Sequence, residues 1–472
     1  MSVKTRKSPF FVAAALAVLA TAIAFSAAEG TWDTEGIRSL LVNRVSEGRK
    51  AVGIVVGLVD PSGRQVLAEG ATTPGGTVTP TADTVFEIGS ITKVFTSLVL
   101  ADMVEKGEIE AETPVANYLP AGIKVPSRNG REINLLDLST QDSGLPRLPG
   151  NLKPADPDNP YIDYGPDRLY AFLSGYTLQR DPGEKYEYSN LGAGLLGHAL
   201  SLRAGMSYEE LVRKRILVPL EMNDTEITLS DSQRARLAVG SAPDLKPVKN
   251  WDFDALAGAG ALKSTANDMM KFLAAAMEIK DTSLRPAFRR LLHTRRPTGV
   301  PDLDIAMGWH IWKKFGSEIV WHNGGTGGYR SFVGFDPDRK AGVVVLCNTA
   351  FGVDDIGLHA LDTRYEAGRF SAPREHKAVE VDPALLEACV GEYELAPGFV
   401  ITVTRSGGRL FERATGQAQF EMFAESQTEF FLKVGDLALT FVKDASGAVT
   451  ALVVHQNGLD RTAPKIMKKE NT

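Results

Sequence analysis

The sequence predicts an α+β fold followed by a small all-β domain. Three observations carry this reading. Strand-like apolar runs at both ends of the first, longer part of the chain enclose a helical middle; a charged stretch without pattern follows; and beyond it the hydrophobic period changes to two. A chain of 472 residues also exceeds what one core holds, about 250–300 residues, so two folded domains are expected.

The chain opens with Lys4, Arg6 and Lys7, then an apolar run over 10–25, then Ser26, Ala27 and Ala28. That is the order of a secretory leader, so 1–28 is read as a signal peptide and the protein as periplasmic or secreted. An uncleaved N-terminal anchor is the alternative reading of the same run, and both imply export.

Residues 52–59 read as a buried strand, and Asp60-Pro61-Ser62-Gly63 turns the chain towards a second strand at 65–68. A helix is expected over 90–106, ended by Gly107 as a left-handed cap. The Pro- and Asp-rich segment 145–166, with Tyr161 and Tyr164 in it, breaks the pattern and is a candidate site wall. Helices follow at 190–204, 207–216 and 264–276, the last opened by Ser264 with Asp268 nearby. Strands at 307–312, 318–323, 329–335 and 342–348 read as an antiparallel meander that shares one sheet with the first two.

From 371 to 382 the composition turns charged and marks a linker. Seven short alternating runs come after it, at 391–395, 399–404, 408–412, 418–423, 429–433, 438–442 and 449–455, the spacing of a small barrel or sandwich. The expected organisation is therefore a leader at 1–28, a first folded domain at 29–372, a linker at 373–382 and a β domain at 383–472.

Composition narrows the function. A net charge of −6 with no basic stripe argues against nucleic acid and for small molecules or peptides as partners. The two cysteines, Cys347 and Cys389, fall in different expected domains and are read as free buried thiols, with a bridge between them as the alternative in an oxidising compartment. With no C-x-x-C, H-E-x-x-H or Cys/His cluster, no metal and no cofactor is expected.

Chemistry is carried by three short elements. In Ser90-Ile91-Thr92-Lys93 a serine opens a helix and a lysine lies one turn on, on the same face. A serine hydroxyl needs a neighbour to take its proton, and a desolvated lysine is neutral enough to do so. The free N–H groups of a helix start favour the charge that develops on an attacked carbonyl oxygen. No other serine in the chain has a lysine at this spacing. The second element is Tyr188-Ser189-Asn190 before a helix, where Asn190 could also serve as an N-cap and Tyr188 as a packed aromatic. The third is His322-Asn323-Gly324-Gly325 at a strand end, with His322 and Gly324 on one face and a glycine that would let a substrate backbone approach. Gly192-Ala193-Gly194-Leu195-Leu196-Gly197 matches the dinucleotide fingerprint in letters only, since it lies within a helix, and G-x-S-x-G is absent.

Together these elements resemble the S-x-x-K, Y-x-N and K-T-G or H-x-G motifs, in order, of the serine β-lactamase and penicillin-binding superfamily, class C-like and of the S12 peptidase type. Asp142-Ser143-Gly144-Leu145-Pro146, Pro219-Leu220-Glu221-Met222 and Gly260-Ala261-Leu262-Lys263-Ser264-Thr265 look similar to that family too. The resemblance implies a transpeptidase-like domain, an antiparallel sheet with a helical subdomain, followed by a lipocalin-like β domain. It implies an acyl-enzyme on Ser90, proton transfer by Lys93 and Tyr188, substrate binding by Asn190, His322, Gly324 and Gly325, and an oxyanion hole from the N–H groups of Ser90 and Gly325. Hydrolysis of amide bonds in short or D-amino-acid peptides is the leading expectation. A β-lactamase or carboxylesterase with the same residues, or a penicillin-binding receptor that acylates without turnover, are the alternatives. His322 and Asn323 stand where many β-lactamases carry lysine and threonine, which predicts weak binding of a substrate carboxylate. Arg330 reads as a solvated surface arginine, with a substitute cation for that grip as the alternative.

Overall fold

The computed structural model describes residues 32–371, 376–396, 399–415, 419–432, 437–456 and 458–466; the leader read at 1–28 lies outside the described residues. Helix α1 (Thr34–Val42) is the first described element, with the Asp33 carboxylate accepting from Gly36 N. It leads to β1 (Gly53–Asp60) and β2 (Gly63–Gly70), joined through Pro61-Ser62 with Asp60 opposite Gly63. The meander returns far down the chain as β3 (Arg296–Pro297), β4 (Leu303–Ile305), β5 (His310–Lys314), β6 (Ser317–Gly325), β7 (Arg330–Asp336) and β8 (Ala341–Cys347). These eight strands form one antiparallel sheet in the order β2-β1-β8-β7-β6-β5-β4-β3, so the two sequence ends of the domain meet at the β1–β8 pair. The short edge strands β3 and β4 carry too few residues to show alternation in the sequence.

Every residue of β1 is buried because both faces of the sheet are covered. Val55 and Val59 face the core under the helical middle, whereas Ile54, Val56 and Leu58 join a smaller core with Ile37 and Leu41 of α1 and with Ile356. Helix α2 (Thr92–Glu105) runs through the larger core, with every side chain from Thr92 to Met103 buried. A helix wrapped on all sides needs no polar face, which is why its sequence has no amphipathic stripe. Gly107 takes φ +69° just past its end. Helix α3 (Asn190–Ala204) has Ser189, not Asn190, as its cap: Ser189 Oγ accepts from Gly192 N at 2.8 Å. Helix α4 (Ala266–Ala276) starts from Thr265, while Ser264 sits in a short ladder pairing Phe86–Glu87 with Lys263–Ser264. Helices α5 (Arg285–His293) and α6 (Asp354–Leu361) were not evident from the sequence pattern, nor were α1 and the helix Pro166–Gly175.

The C-terminal part is a nearly closed antiparallel barrel of eight strands, β9 (Gly391–Ala396), β10 (Phe399–Ser406), β11 (Arg409–Ala414), β12 (Phe420–Ala424), β13 (Glu429–Phe431), β14 (Leu437–Lys443), β15 (Val449–Gln456) and β16 (Leu459–Pro464), paired in sequence order. It closes where Tyr393 bridges Lys465 and Ile466 N donates to Glu392 O at 2.7 Å. Strand β16 escapes the period-two test because only Ala463 in it is buried. Residues 376–382, read as linker, run along the barrel: Val379 N donates to Ala424 O at 2.8 Å and His376 stacks on Phe431.

Both cysteines are free and buried, Cys347 in the sheet and Cys389 in the barrel core. The barrel core contains no residue of the two cores flanking the sheet. A chain ending near Glu375 is therefore expected to fold and to react with a fluorophosphonate at Ser90; circular dichroism and gel labelling check this, and an insoluble or unreactive product would show that the barrel supports the first domain.

Candidate active site

The site forms where the start of α2, the start of α3 and the end of β6 converge. Gly89 and Ser90 lie in a 3₁₀ turn, Gly89–Ile91, that feeds α2. Gly89 has φ +49°, and a Cβ on it would fall 2.6 Å from Gly325 N. Glycine is required there by both conformation and space. This contact brings the Gly325 N–H against the nucleophile turn. Ser90 is half-exposed amid buried neighbours on both sides, so its hydroxyl is reachable while its backbone is fixed.

Lys93 Nζ lies 2.8 Å from Ser90 Oγ and donates to Ala259 O at 2.7 Å. It is 2% exposed, and burial, with a smaller contribution from the positive charge of Arg147, holds its pKa well below the ordinary 10.5. The chain pays for this geometry in glycine: Gly194 and Gly197 of α3 let Leu256 and Gly258 pack with no room for a Cβ, which seats the turn bearing Ala259. The literal G-x-G-x-x-G is thus a packing device that positions the lysine's acceptor.

The Tyr188 ring is 4.9 Å from Lys93 Nζ, and Ser90 is its side-chain hydrogen-bond partner; burial pushes the phenol pKa up. With Ser189 as the cap, Asn190 directs its amide to the cleft, where it is hydrogen-bonded to Tyr161. Tyr161 stacks on Phe253 at 4.7 Å and meets Trp251 edge-on at 5.4 Å, so the segment 145–166 does supply a wall. Tyr164 instead is buried, with its hydroxyl donating to Asn151 Oδ1 at 2.8 Å.

At β6, the His322 ring lies 6.2 Å from Tyr188. Its Nδ1 is 2.5 Å from the Asn323 carbonyl oxygen, which can only accept, so Nδ1 carries the proton and Nε2 is left as an acceptor. Burial, the nearby His310 and Lys93 keep this imidazole neutral. A Cβ on Gly324 would strike Ile88 O at 2.0 Å and Ser331 Oγ at 2.3 Å, so this glycine makes room for the nucleophile turn. Asn323 points away, donating to Asp354 Oδ2 of α6 at 2.5 Å. Arg330 is neither a surface arginine nor free, because its Nη1 donates to Thr326 O and Tyr329 O at 2.8 Å each.

Only His322 of the His-Asn pair therefore addresses the cleft. His322→Lys alone is expected to raise cephalosporin hydrolysis by one to two decades, since a charge-assisted hydrogen bond contributes about 1.5–3 kcal/mol. Asn323→Thr should leave cephalosporin turnover unimproved and cost about 1–3 kcal/mol of stability by removing a donor from Asp354, whose buried carboxyl already has its pKa pushed up to about 6. Kinetics and urea unfolding of the two single variants separate these effects.

Several residues of the site were not singled out from the sequence. The His310 ring lies 5.2 Å from His322, tilted by 41°, and its Nε2 is 3.0 Å from the Tyr186 hydroxyl; burial lowers its pKa to about 4. Glu87, in the ladder leading to Gly89, is buried and accepts from Asn250 Nδ2 at 2.8 Å and Trp251 N at 2.9 Å, tying the aromatic wall to the nucleophile turn. Arg147 stacks over the Tyr188 ring at 5.1 Å. Its position directly after Pro146 in one of the family-like stretches was the available signal. Among the described residues no cluster of three or more His, Cys, Asp or Glu could hold a metal ion. A hollow of about 780 Å³ bordered by His198, Tyr208 and Asp254 adjoins the Ala257–Ala259 turn but is not lined by Ser90, Lys93 or Tyr188.

A serine with a buried lysine at hydrogen-bond distance, a tyrosine hydrogen-bonded to that serine, and the backbone nitrogen of Gly325 beside the same turn define a serine hydrolase. The chain belongs to the Beta-lactamase family, whose sequence model it matches over residues 41–365, and residues 375–470 match a domain of unknown function. It is 30% identical over 314 residues, 63% of this chain and 80% of the relative, to the D-alanyl-D-alanine-carboxypeptidase/endopeptidase AmpH of Escherichia coli. It is 26% identical over 419 residues, 81% of this chain and 87% of the relative, to penicillin-binding protein 4* of Bacillus subtilis. Among solved structures, a beta-lactamase/D-alanine carboxypeptidase from Yersinia pestis superposes with a TM-score of 0.57 at 28% identity, covering 67% of this chain and 93% of that one.

Proposed function

We propose that this serine hydrolase is exported and cleaves amide bonds of short or D-amino-acid peptides through an acyl-enzyme on Ser90. Neutral Lys93 accepts the Ser90 proton as Oγ attacks the carbonyl carbon. The oxygen that gains charge turns to the N–H groups of Ser90 and Gly325. As the tetrahedral centre collapses, the Lys93–Tyr188 pair returns the proton to the leaving nitrogen; the same pair then deprotonates a water that releases the acyl group. Binding falls to Asn190 and His322, with Gly325 as a backbone donor and Gly324 as a spacer.

The observation that carries the substrate class is the 2.5 Å contact of His322 Nδ1 with the Asn323 carbonyl oxygen. An acceptor nitrogen on a neutral ring suits a donor on the substrate, an amide or amino group, and offers no charge to a carboxylate. Relatives named as carboxypeptidase/endopeptidase support the peptide reading. Export rests on the leader pattern at 1–28, and no helix among the described residues is long and apolar enough to cross a membrane. The proposed division keeps a hydrolase domain at 29–372, a connection at 373–382 and a barrel at 383–472.

A panel of D- and L-aminoacyl amides, p-nitrophenyl esters, a chromogenic cephalosporin and penicillin tests this. Fast turnover of peptide amides supports it. Turnover confined to esters would make the protein a carboxylesterase, efficient cephalosporin turnover a β-lactamase, and a stable penicillin adduct without turnover a receptor.

A further inference from the structure

Arg147 stands exposed at the mouth of the cleft, and among the described residues no carboxylate lies within ion-pairing distance of it. Other arginines near the site are committed: Arg180 pairs with Glu187, Arg296 with Asp142 and Asp137, and Arg330 with two backbone carbonyls. Nor is Arg147 a loosely held surface residue. Ser189 Oγ donates to Pro146 O at 2.7 Å, and the N–H groups of Asn190 and Leu191 donate to Arg147 O at 3.0 and 3.3 Å. The backbone that carries the guanidinium is thus stapled to the start of α3, beside the tyrosine and asparagine of the site. The guanidinium carbon lies 5.1 Å from the Tyr188 ring centroid, and Lys93 Nζ lies 4.9 Å from the same centroid.

On this flank Asn190 Oδ1 is buried without a hydrogen-bond partner. A buried acceptor of this kind calls for a donor, and an unneutralised arginine at fixed position calls for an anion, which its planar fork matches in carboxylate form. On the β6 side of the site, His322, 6.2 Å from the Tyr188 ring, offers an acceptor rather than a fixed cation. We propose that Arg147 is a specificity residue that selects substrates whose acyl part carries a carboxylate, such as peptides with an acidic residue on the acyl side of the cleaved bond. Asn190 would take an N–H of that same residue. This rests on the reading of Ser90 as nucleophile and adds the charge of its preferred acyl group.

Matched p-nitrophenyl esters test it: glutaryl, with a terminal carboxylate, against valeryl, of the same chain length. A second pair, 4-acetoxybenzoate against phenyl acetate, puts the carboxylate on the leaving group. The wild type is expected to favour glutaryl over valeryl in kcat/KM. Arg147→Gln should reduce that ratio about tenfold, Arg147→Glu should reverse it, and Arg147→Lys should retain part of it. The ratio for the leaving-group pair should not move. A loss that falls equally on glutaryl and valeryl esters would show a merely structural arginine and overturn the proposal, as would a shift confined to the leaving-group pair. Failure of the Ser90 reading would be distinguishable, because Ser90→Ala would then hydrolyse the valeryl ester as fast as the wild type.

Discussion

Replacing Ser90 with alanine is expected to lower hydrolysis of every ester and amide substrate by at least ~10⁴-fold, because residues that act as one nucleophilic unit lose most of their effect when any member is removed. The Ser90 hydroxyl lies 2.8 Å from the buried amine Lys93 Nζ, and no other serine of the chain has a lysine at this spacing. The loss should be purely chemical. Ser90 is half-exposed, and the turn around it is held by Gly89, Ile91 and the Gly325 contact rather than by the hydroxyl. The melting temperature of Ser90→Ala should therefore match that of the wild type. The double variant with Lys93→Ala should be no slower than Ser90→Ala alone; an additive loss would mean that the two residues act in separate steps.

Lys93→Arg is expected to cost roughly 10²–10⁴-fold, the usual worth of a positioned proton-transfer group. A guanidinium stays protonated and cannot accept the Ser90 proton, and a 2% exposed pocket has no room for it. The wild type should show kcat/KM rising with pH through the lowered pKa of Lys93, that is, well below 10.5, since the base works only without its proton. The sign for stability is the same. The unfolded chain binds this proton more tightly than the folded one, so between the folded pKa and 10.5 the contribution of Lys93 to stability increases with pH, and at neutral pH its burial is a cost. Lys93→Met removes that dependence. Its unfolding free energy, subtracted from that of the wild type across pH, should leave a difference that rises in this window; a flat difference would show Lys93 to be charged in the folded protein.

Much of the fold was legible because its signals are local. The turn at Pro61-Ser62, the meander and the helix Asn190–Ala204 are set by period and by Gly and Pro positions. Helix α2 was found only through its ends, Ser90 and Gly107, since a fully buried helix has no polar face to count. Strand β16 was missed for the opposite reason, being almost wholly exposed. In the site, Ser90 and Lys93 were legible because they share one turn of one helix. What surrounds β6 was not legible, because it depends on elements far apart in sequence: Asp354 from α6 claims the Asn323 amide, and Ile88 crowds Gly324. Arg147, His310 and Glu87 come from three separate elements, and nothing in one sequence states that those elements meet.

Ser90 is expected to become acylated during turnover. Rapid-quench mass spectrometry after mixing the full chain with a p-nitrophenyl ester tests it most directly. The expected result is a transient mass increase equal to one acyl group, located by proteolysis to the peptide containing Ser90 and absent from Ser90→Ala. Turnover without any covalent species, or an acyl group on a different residue, would contradict it.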